Sequence, residues 1–270
     1  MLAERDGTLW CSDDRGGLTR IGTDGRVSTI GAIKGAPNGF AAEKGGSFLI
    51  ANIEDGKVYR LYRNGQSEVV LDTFEGAKLG SANFVYRDGS RFWITISTRT
   101  EPRRKAMEEG IADGFVVLYE NGKAKRAASG IVFTNEVRID RARKHLYVAE
   151  TGKGRVLRHA LHADGTLGPA EVYGPETMFK GARIDGITFD AEGNLWVTEI
   201  GRNGLYVIAP DGKSCRQVFE DPSGKTVDFP ASVVFAGPDL KTAYIGSIRM
   251  KRLAMFRSPV AGEPLDHWND

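Results

Sequence analysis

One phrase recurs along this chain, and a repeated unit constrains the fold more than any single motif, because each copy must bury its apolar face against the next. The phrase has a polar lead residue, a short apolar run, a turn rich in Gly or charge, and a strong apolar strand. Asn38 leads to Phe48-Leu49-Ile50-Ala51, Asn83 to Phe92-Trp93-Ile94-Thr95, and Asn135 to Leu146-Tyr147-Val148-Ala149. Asp185 leads to Leu195-Trp196-Val197-Thr198, and Ser232 to Ala243-Tyr244-Ile245-Gly246. The lead residues are spaced by 45, 52, 50 and 47 residues. Asp6-Gly7 before Thr8-Leu9-Trp10-Cys11 reads as a sixth copy that lacks its lead-in strand.

Each copy continues into a second hairpin, marked by Asn64-Gly65, Asp164-Gly165 or Asp211-Gly212 between β-rich runs. Such dipeptides predict type I′ turns, with positive φ at both central residues. Four strands per copy and about 40–50 residues per copy describe a propeller blade. The expected fold is therefore all-β: a single six-bladed β-propeller over residues 1–270, with four-stranded antiparallel blades around a central channel. Its first blade lacks its N-terminal strand or is closed by the C-terminus. A solenoid is the competing repeat fold, but six units in a closed ring hide their edges without capping repeats. The only helical signal is one short turn at Lys105-Ala106-Met107-Glu108-Glu109.

Composition removes several function classes. The 37 basic and 35 acidic residues leave a net charge of +2, with no basic stripe for nucleic acid. No stretch approaches the roughly 18 apolar residues of a membrane span, and Met1-Leu2-Ala3-Glu4-Arg5-Asp6 is no signal region. The expectation is a cytoplasmic protein with neither nucleic-acid nor membrane partners; its oligomeric state is not legible. Cys11 and Cys215 lie in no CxxC, and Cys11 reads as a core residue. The histidines, at 145, 159, 162 and 267, avoid the lead positions and read as structural or exposed. No Ser-His-acid set, G-x-S-x-G elbow or Walker loop is present.

Asn and Asp favour turns because their side chains bond nearby backbone. That explains a lone Asn before Gly such as Asn38. Asn83, Asn135 and Asp185 at matching positions of successive blades suggest instead a shared site. Amide and carboxylate oxygens suit Ca2+ or Mg2+, whereas Zn2+ favours nitrogen or sulfur.

The phrases Asn135-Glu136-Val137-Arg138 through Glu150-Thr151, Asp185-Gly186-Ile187-Thr188-Phe189-Asp190 through Gly193-Asn194-Leu195-Trp196-Val197, and Phe235-Ala236-Gly237-Pro238-Asp239-Leu240 resemble the gluconolactonase, regucalcin (senescence marker protein) and luciferin-regenerating enzyme family. The resemblance runs over nearly the whole chain. It implies a six-bladed propeller that binds one divalent cation, usually Ca2+ or Zn2+, and often hydrolyses lactones. It assigns Asn83, Asn135 and Asp185 as metal ligands, with Asp185 also the base. The family often has Asn-Gly where this chain has Asn135-Glu136. A first-blade Glu ligand that the resemblance implies would fall just before Met1, and Glu4 is a poor substitute.

The function expected is metal-dependent hydrolysis of a lactone, with Asp185 catalytic and Ca2+ the first choice of cofactor, Zn2+ or Mg2+ the others. Arg15, Asn38, Arg99 and Glu150 are weaker candidates for binding substrate, and Phe84 and Phe133 for an apolar wall. Two alternatives stay open: a non-catalytic calcium-binding or interaction propeller, and a metal-dependent esterase acting on another ester.

Overall fold

The computed structural model describes residues 1–269. The chain is a six-bladed β-propeller with antiparallel blades. It divides into two compact units, Met1–Glu136 with Leu265–Asp270, and Val137–Pro264.

In the first unit, β1 (Leu2–Ala3), β2 (Leu9–Asp13), β3 (Gly17–Ile21) and β4 (Val27–Ile30) form blade one. A lead-in strand is thus present, two residues long, with Leu2 opposite Trp10 and Ala3 opposite Leu9. The free side of Ala3 is met from the C-terminal segment: His267 Nε2 lies 3.0 Å from its carbonyl oxygen, and Trp268 Nε1 donates to it at 2.8 Å. Blade two is β5 (Pro37–Ala42), β6 (Phe48–Asn52), β7 (Lys57–Leu61) and β8 (Ser67–Leu71). A small hairpin follows, β9 (Thr73–Phe74) and β10 (Ala77–Lys78). Blade three is β11 (Ala82–Asp88), β12 (Arg91–Ile96), β13 (Gly114–Glu120) and β14 (Lys123–Ile131). The expected helical turn is there as α1 (Arg103–Glu109), between β12 and β13. Its buried residue is Ala106, and Gly110 closes it in the left-handed region at φ 68°.

Blade four is β15 (Thr134–Ile139), β16 (His145–Glu150), β17 (Arg155–Leu161) and β18 (Leu167–Tyr173); the first three residues of β15 belong to the first unit. In the second unit, blade five is β19 (Ile184–Phe189), β20 (Leu195–Glu199), β21 (Gly204–Ile208) and β22 (Cys215–Glu220). Blade six has three strands, β23 (Pro230–Ala236), β24 (Thr242–Ser247) and β25 (Ala254–Arg257).

The cores follow from strand alternation. In the first unit Trp10, Phe40, Phe48 and Leu61 join blades one and two, and Leu49, Val85, Ile94 and Phe115 join blades two and three. In the second, Tyr147, Phe189 and Val197 form one cluster and Trp196, Val207, Val233 and Phe235 another. Removing a large ring from such a core costs about 3–5 kcal/mol. The Trp196 indole also keeps a partner, donating to Asp190 at 2.9 Å. Asp190 further accepts the amides of Glu192 and Asn194, so one carboxylate fastens both the turn before β20 and the ring on it.

The turn type and Cys11 also depart from the sequence expectations. The Gly-bearing hairpins are not type I′: Gly65, Gly165 and Gly212 have positive φ, and the Asn or Asp before each does not. Gly65 N donates to Tyr62 O, and Tyr62 N to Gln66 O, which makes a type I turn closed by a left-handed glycine. The Asn64 side chain stabilises this by accepting the Gln66 amide at 3.0 Å. Cys11 is only half-buried, because Trp10 takes the inward face and its neighbour points the other way; both cysteines are free thiols. His159 is structural: it is buried, with Nδ1 2.9 Å from Gly168 O. Among the described residues no helix is long and apolar enough to cross a membrane.

Candidate functional site

The first strand of a blade should pair residue by residue with the second. At its start it does not. Pairing skips from Pro37 to Phe40, from Ala82 to Phe84, from Ile184 to Ile187, and from Pro230 to Ser232. These are β-bulges, which free a residue from the ladder and re-aim its side chain. The residues freed are Asn38 with Gly39, Asn83, Asp185 with Gly186, and Ala231. The register makes Ala231, not Ser232, the blade-six counterpart of Asn83, since Ser232 is paired with Gly246.

Two of the bulges need glycine. A Cβ on Gly39 would lie 2.6 Å from the Phe84 Cα, and one on Gly186 would lie 2.5 Å from the Ala231 carbonyl oxygen and 2.7 Å from the Ser232 Cα. Each glycine lets the start of one blade press against the start of the next.

In the first unit the lead residues form a chain of hydrogen bonds. Asn38 Nδ2 donates to Asn83 Oδ1 at 3.4 Å, a long contact. Asn83 Nδ2 donates to Ser97 Oγ at 2.9 Å, and Ser97 Oγ donates to the Thr134 carbonyl at 2.9 Å. Asn83, Ser97 and Asn135 are buried, and Asn38 is half-buried. Ser97 therefore fixes the Asn83 amide with its nitrogen toward blade four and its oxygen toward Asn38. Ser97 was not singled out from the sequence, because a serine at the end of an apolar strand carries no signal of its own. Glu136, which stands where the family often has Gly, is a buried carboxylate directly after Asn135.

In the second unit Asp185 is half-buried on its bulge. The bulge is pinned by Thr198, whose hydroxyl accepts the Gly186 amide at 2.8 Å.

The weaker candidates are held by their own surroundings. Arg15 is exposed and is gripped by Asp13 at 2.6 Å, with a further hydrogen bond to Thr29 at 3.0 Å. The Asp13 carboxyl lies well below the usual range because Arg15 donates to it. Arg99 donates to the Phe74 carbonyl at 2.8 Å and lies over the Phe115 ring. Glu150 is buried and accepts from Arg155 at 2.7 Å. Glu4 accepts from Arg63 at 2.6 Å. Phe84 and Phe133 are buried, and Phe84 covers Gly39. The segment from Thr100 to Asp113 is fastened at its base by Asp113, which accepts from Thr98, Arg99 and Thr100.

Among the described residues no three His, Cys, Asp or Glu side chains gather in a metal-binding group. A cation held here by three or more side chains would need amide oxygens among its ligands. Asn83, Asn135 and Asp185 offer two neutral amides and one carboxylate, which is the chemistry of a hard cation. The orientation that Ser97 imposes on Asn83 fits this role, since it spends the amide nitrogen on protein and leaves only a long contact at the oxygen.

Comparison with known proteins adds to the geometry. A 6-deoxy-6-sulfogluconolactonase from Pseudomonas putida is 28% identical over 250 residues, covering 91% of this chain and 80% of its own. Serum paraoxonase/arylesterase 1 from Rattus norvegicus is 27% identical over 192 residues, 70% of this chain and 51% of the relative, so the match spans about half of that enzyme. Among solved structures, a calcium-binding protein, regucalcin, from Agrobacterium tumefaciens superposes with a TM-score of 0.77 at 21% identity, covering 96% of this chain and 89% of the other. The profile described as the SMP-30/gluconolactonase/LRE-like region matches residues 1–249. The chain belongs to the SMP-30/gluconolactonase/LRE-like family.

Proposed function

We propose that this protein is a metal-dependent lactonase that opens a small cyclic ester. The observation that carries the reading is the placement of Asn83 and Asp185 on equivalent bulges, out of the ladder, with the Asn83 amide oriented by Ser97. Membership of a family named in part for gluconolactonase, and the sulfogluconolactonase relative, support the substrate class.

Asn83, Asn135 and Asp185 would hold the ion, with Ca2+ first in order. When bound, a divalent cation supplies Lewis acidity to the lactone carbonyl oxygen. Asp185 takes a proton from the attacking water, whose oxygen bonds to the carbonyl carbon. The carbonyl carbon–ring oxygen bond then breaks, and Asp185 returns the proton to the departing alkoxide, giving the open hydroxy acid. Asn83 and Asn135 contribute no charge, so they leave Asp185 the single anionic group among the three.

The experiment is lactone hydrolysis by wild type and Asp185→Ala, with and without chelator. The expected result is a loss of about 10²–10⁴-fold in kcat for the variant, the usual size of a general-base contribution. Chelation should abolish turnover reversibly. Equal rates in all arms would remove the proposal. The paraoxonase/arylesterase relative favours a second reading, hydrolysis of another ester by the same groups. A panel of aryl esters run beside the lactones separates the two.

A further inference from the structure

Blade six carries a feature that this chemistry does not use. A cavity of about 430 Å³ is lined by Gly224, Lys225, Asp228, Arg249, Met250, Lys251 and Arg252. Four of these residues are cationic and one is anionic. They come from two connections, β22 to β23 and β24 to β25. Like charges held close repel one another, so something must hold these together.

Three contacts do so. Ser247 Oγ donates to the Asp228 carbonyl, Ile248 N donates to Phe229 O at 3.1 Å, and Arg252 Nη2 donates to Lys225 O at 2.5 Å. Asp221 stiffens the first connection by accepting the amides of Thr226 and Val227 and the Ser223 hydroxyl. The single carboxylate, Asp228, is 3.7 Å from Arg249, whose guanidinium also lies over the Phe229 ring. Lys225 and Lys251 are exposed, and neither ammonium is engaged by another described side chain. The cavity therefore keeps an excess of positive charge in a framework set by backbone contacts.

Its position matters as much as its charge. Gly186 lies against Ala231 and Ser232, so the start of β19, which carries Asp185, adjoins the start of β23. Asp228 is three residues before Ala231, and three residues span at most about 11 Å. The cationic cavity and Asp185 therefore lie at the same end of neighbouring strands, β23 and β19.

We propose that this cavity is an anion subsite that takes an oxyanion substituent (carboxylate, phosphate or sulfonate) of the lactone opened at Asp185. The inference rests on the lactonase reading and sharpens it to negatively charged sugar lactones. Cationic clefts raise both the local concentration and the binding of anionic ligands, in a salt-dependent way.

The test compares wild type with Lys225→Gln/Lys251→Gln and, separately, Arg249→Gln. Two readouts are taken: kcat/KM on glucono-δ-lactone and on its 6-phospho derivative, and titration with inorganic phosphate followed by calorimetry. The expected result is that the ratio of kcat/KM for the phosphorylated over the neutral lactone falls tenfold or more in each variant. Phosphate binding to wild type should weaken with added salt and weaken further in both variants. An unchanged ratio, or phosphate binding equal in wild type and variants, overturns the subsite. If wild type opens neither lactone, the lactonase reading falls. The phosphate titration then decides on its own whether the cavity binds anions.

Discussion

Ser97 shows how one hydroxyl can decide what a neighbouring amide presents. It receives the Asn83 amide hydrogen at 2.9 Å and passes its own to the Thr134 carbonyl at 2.9 Å. Ser97→Ala removes both contacts and leaves the buried Asn83 nitrogen without this acceptor. Loss of a group that orients a ligand typically costs 10–100-fold in metal affinity. The expected outcome is a fall of that size in divalent-cation affinity, measured by calorimetric titration, with Ser97→Thr recovering most of it. Equal affinity in wild type and Ser97→Ala would show that Ser97 does not orient a cation ligand at Asn83. At this scale the sequence was informative about position and silent about partners. Asn38, Asn83 and Asp185 stood out because the repeat aligns them, and their bulges free all three from the ladder. Arg15, Arg99 and Glu150 also follow apolar runs, yet their partners are Asp13, the Phe74 carbonyl and Arg155. Nothing in a single sequence says which strand or turn will supply such a partner.

The bulged first strand is the element that presents the candidate residues, and glycine is what lets it do so. Gly186 is buried against the Ala231 carbonyl and the Ser232 Cα, both backbone atoms that cannot rotate away. Gly186→Ala pushes the start of β19 off β23, and overpacking of this kind typically costs 1–3 kcal/mol. Because Asp185 is the adjoining residue, the displacement should lower kcat on a lactone by tenfold or more while the fold survives. Circular dichroism and thermal melting would confirm the second half of that statement, and a variant with wild-type kcat would refute the first. The same element explains why Ser232 was aligned one residue too far along: the repeat locates the apolar run, but only pairing reveals where the extra residue sits. The hairpins teach a similar lesson. Asn-Gly and Asp-Gly mark the turns correctly, but a type I turn followed by one left-handed residue also accepts them, so the dipeptide alone cannot name the turn type.

At the scale of the molecule, the six blades were legible because every copy repeats the same alternation, while the exceptions had no such signal. The two-residue β1, the β9–β10 hairpin and the three-stranded blade six are departures from the repeat, and each is set by local pairing. Global stability has one feature that the repeat could not forecast. Glu263 follows β25, donates its amide to Phe189 O at 3.2 Å, and has its carboxyl pushed up to about 7 by burial, with Asp140 and Asp190 adding to the rise and Arg141 opposing it. A carboxyl that is harder to ionise folded than unfolded binds more protons in the native state between its two pKa values. Stability from this group is therefore complete below the ordinary carboxylate range and declines as pH rises toward 7, after which the loss is constant. Glu263→Gln removes the ionisation but keeps the shape. The melting temperature of the variant, relative to wild type, should thus rise between pH 4.5 and pH 7.5. Melting curves across that interval provide the check, and a difference that stays flat with pH would place the Glu263 carboxyl in water rather than in a buried position near Asp140 and Asp190.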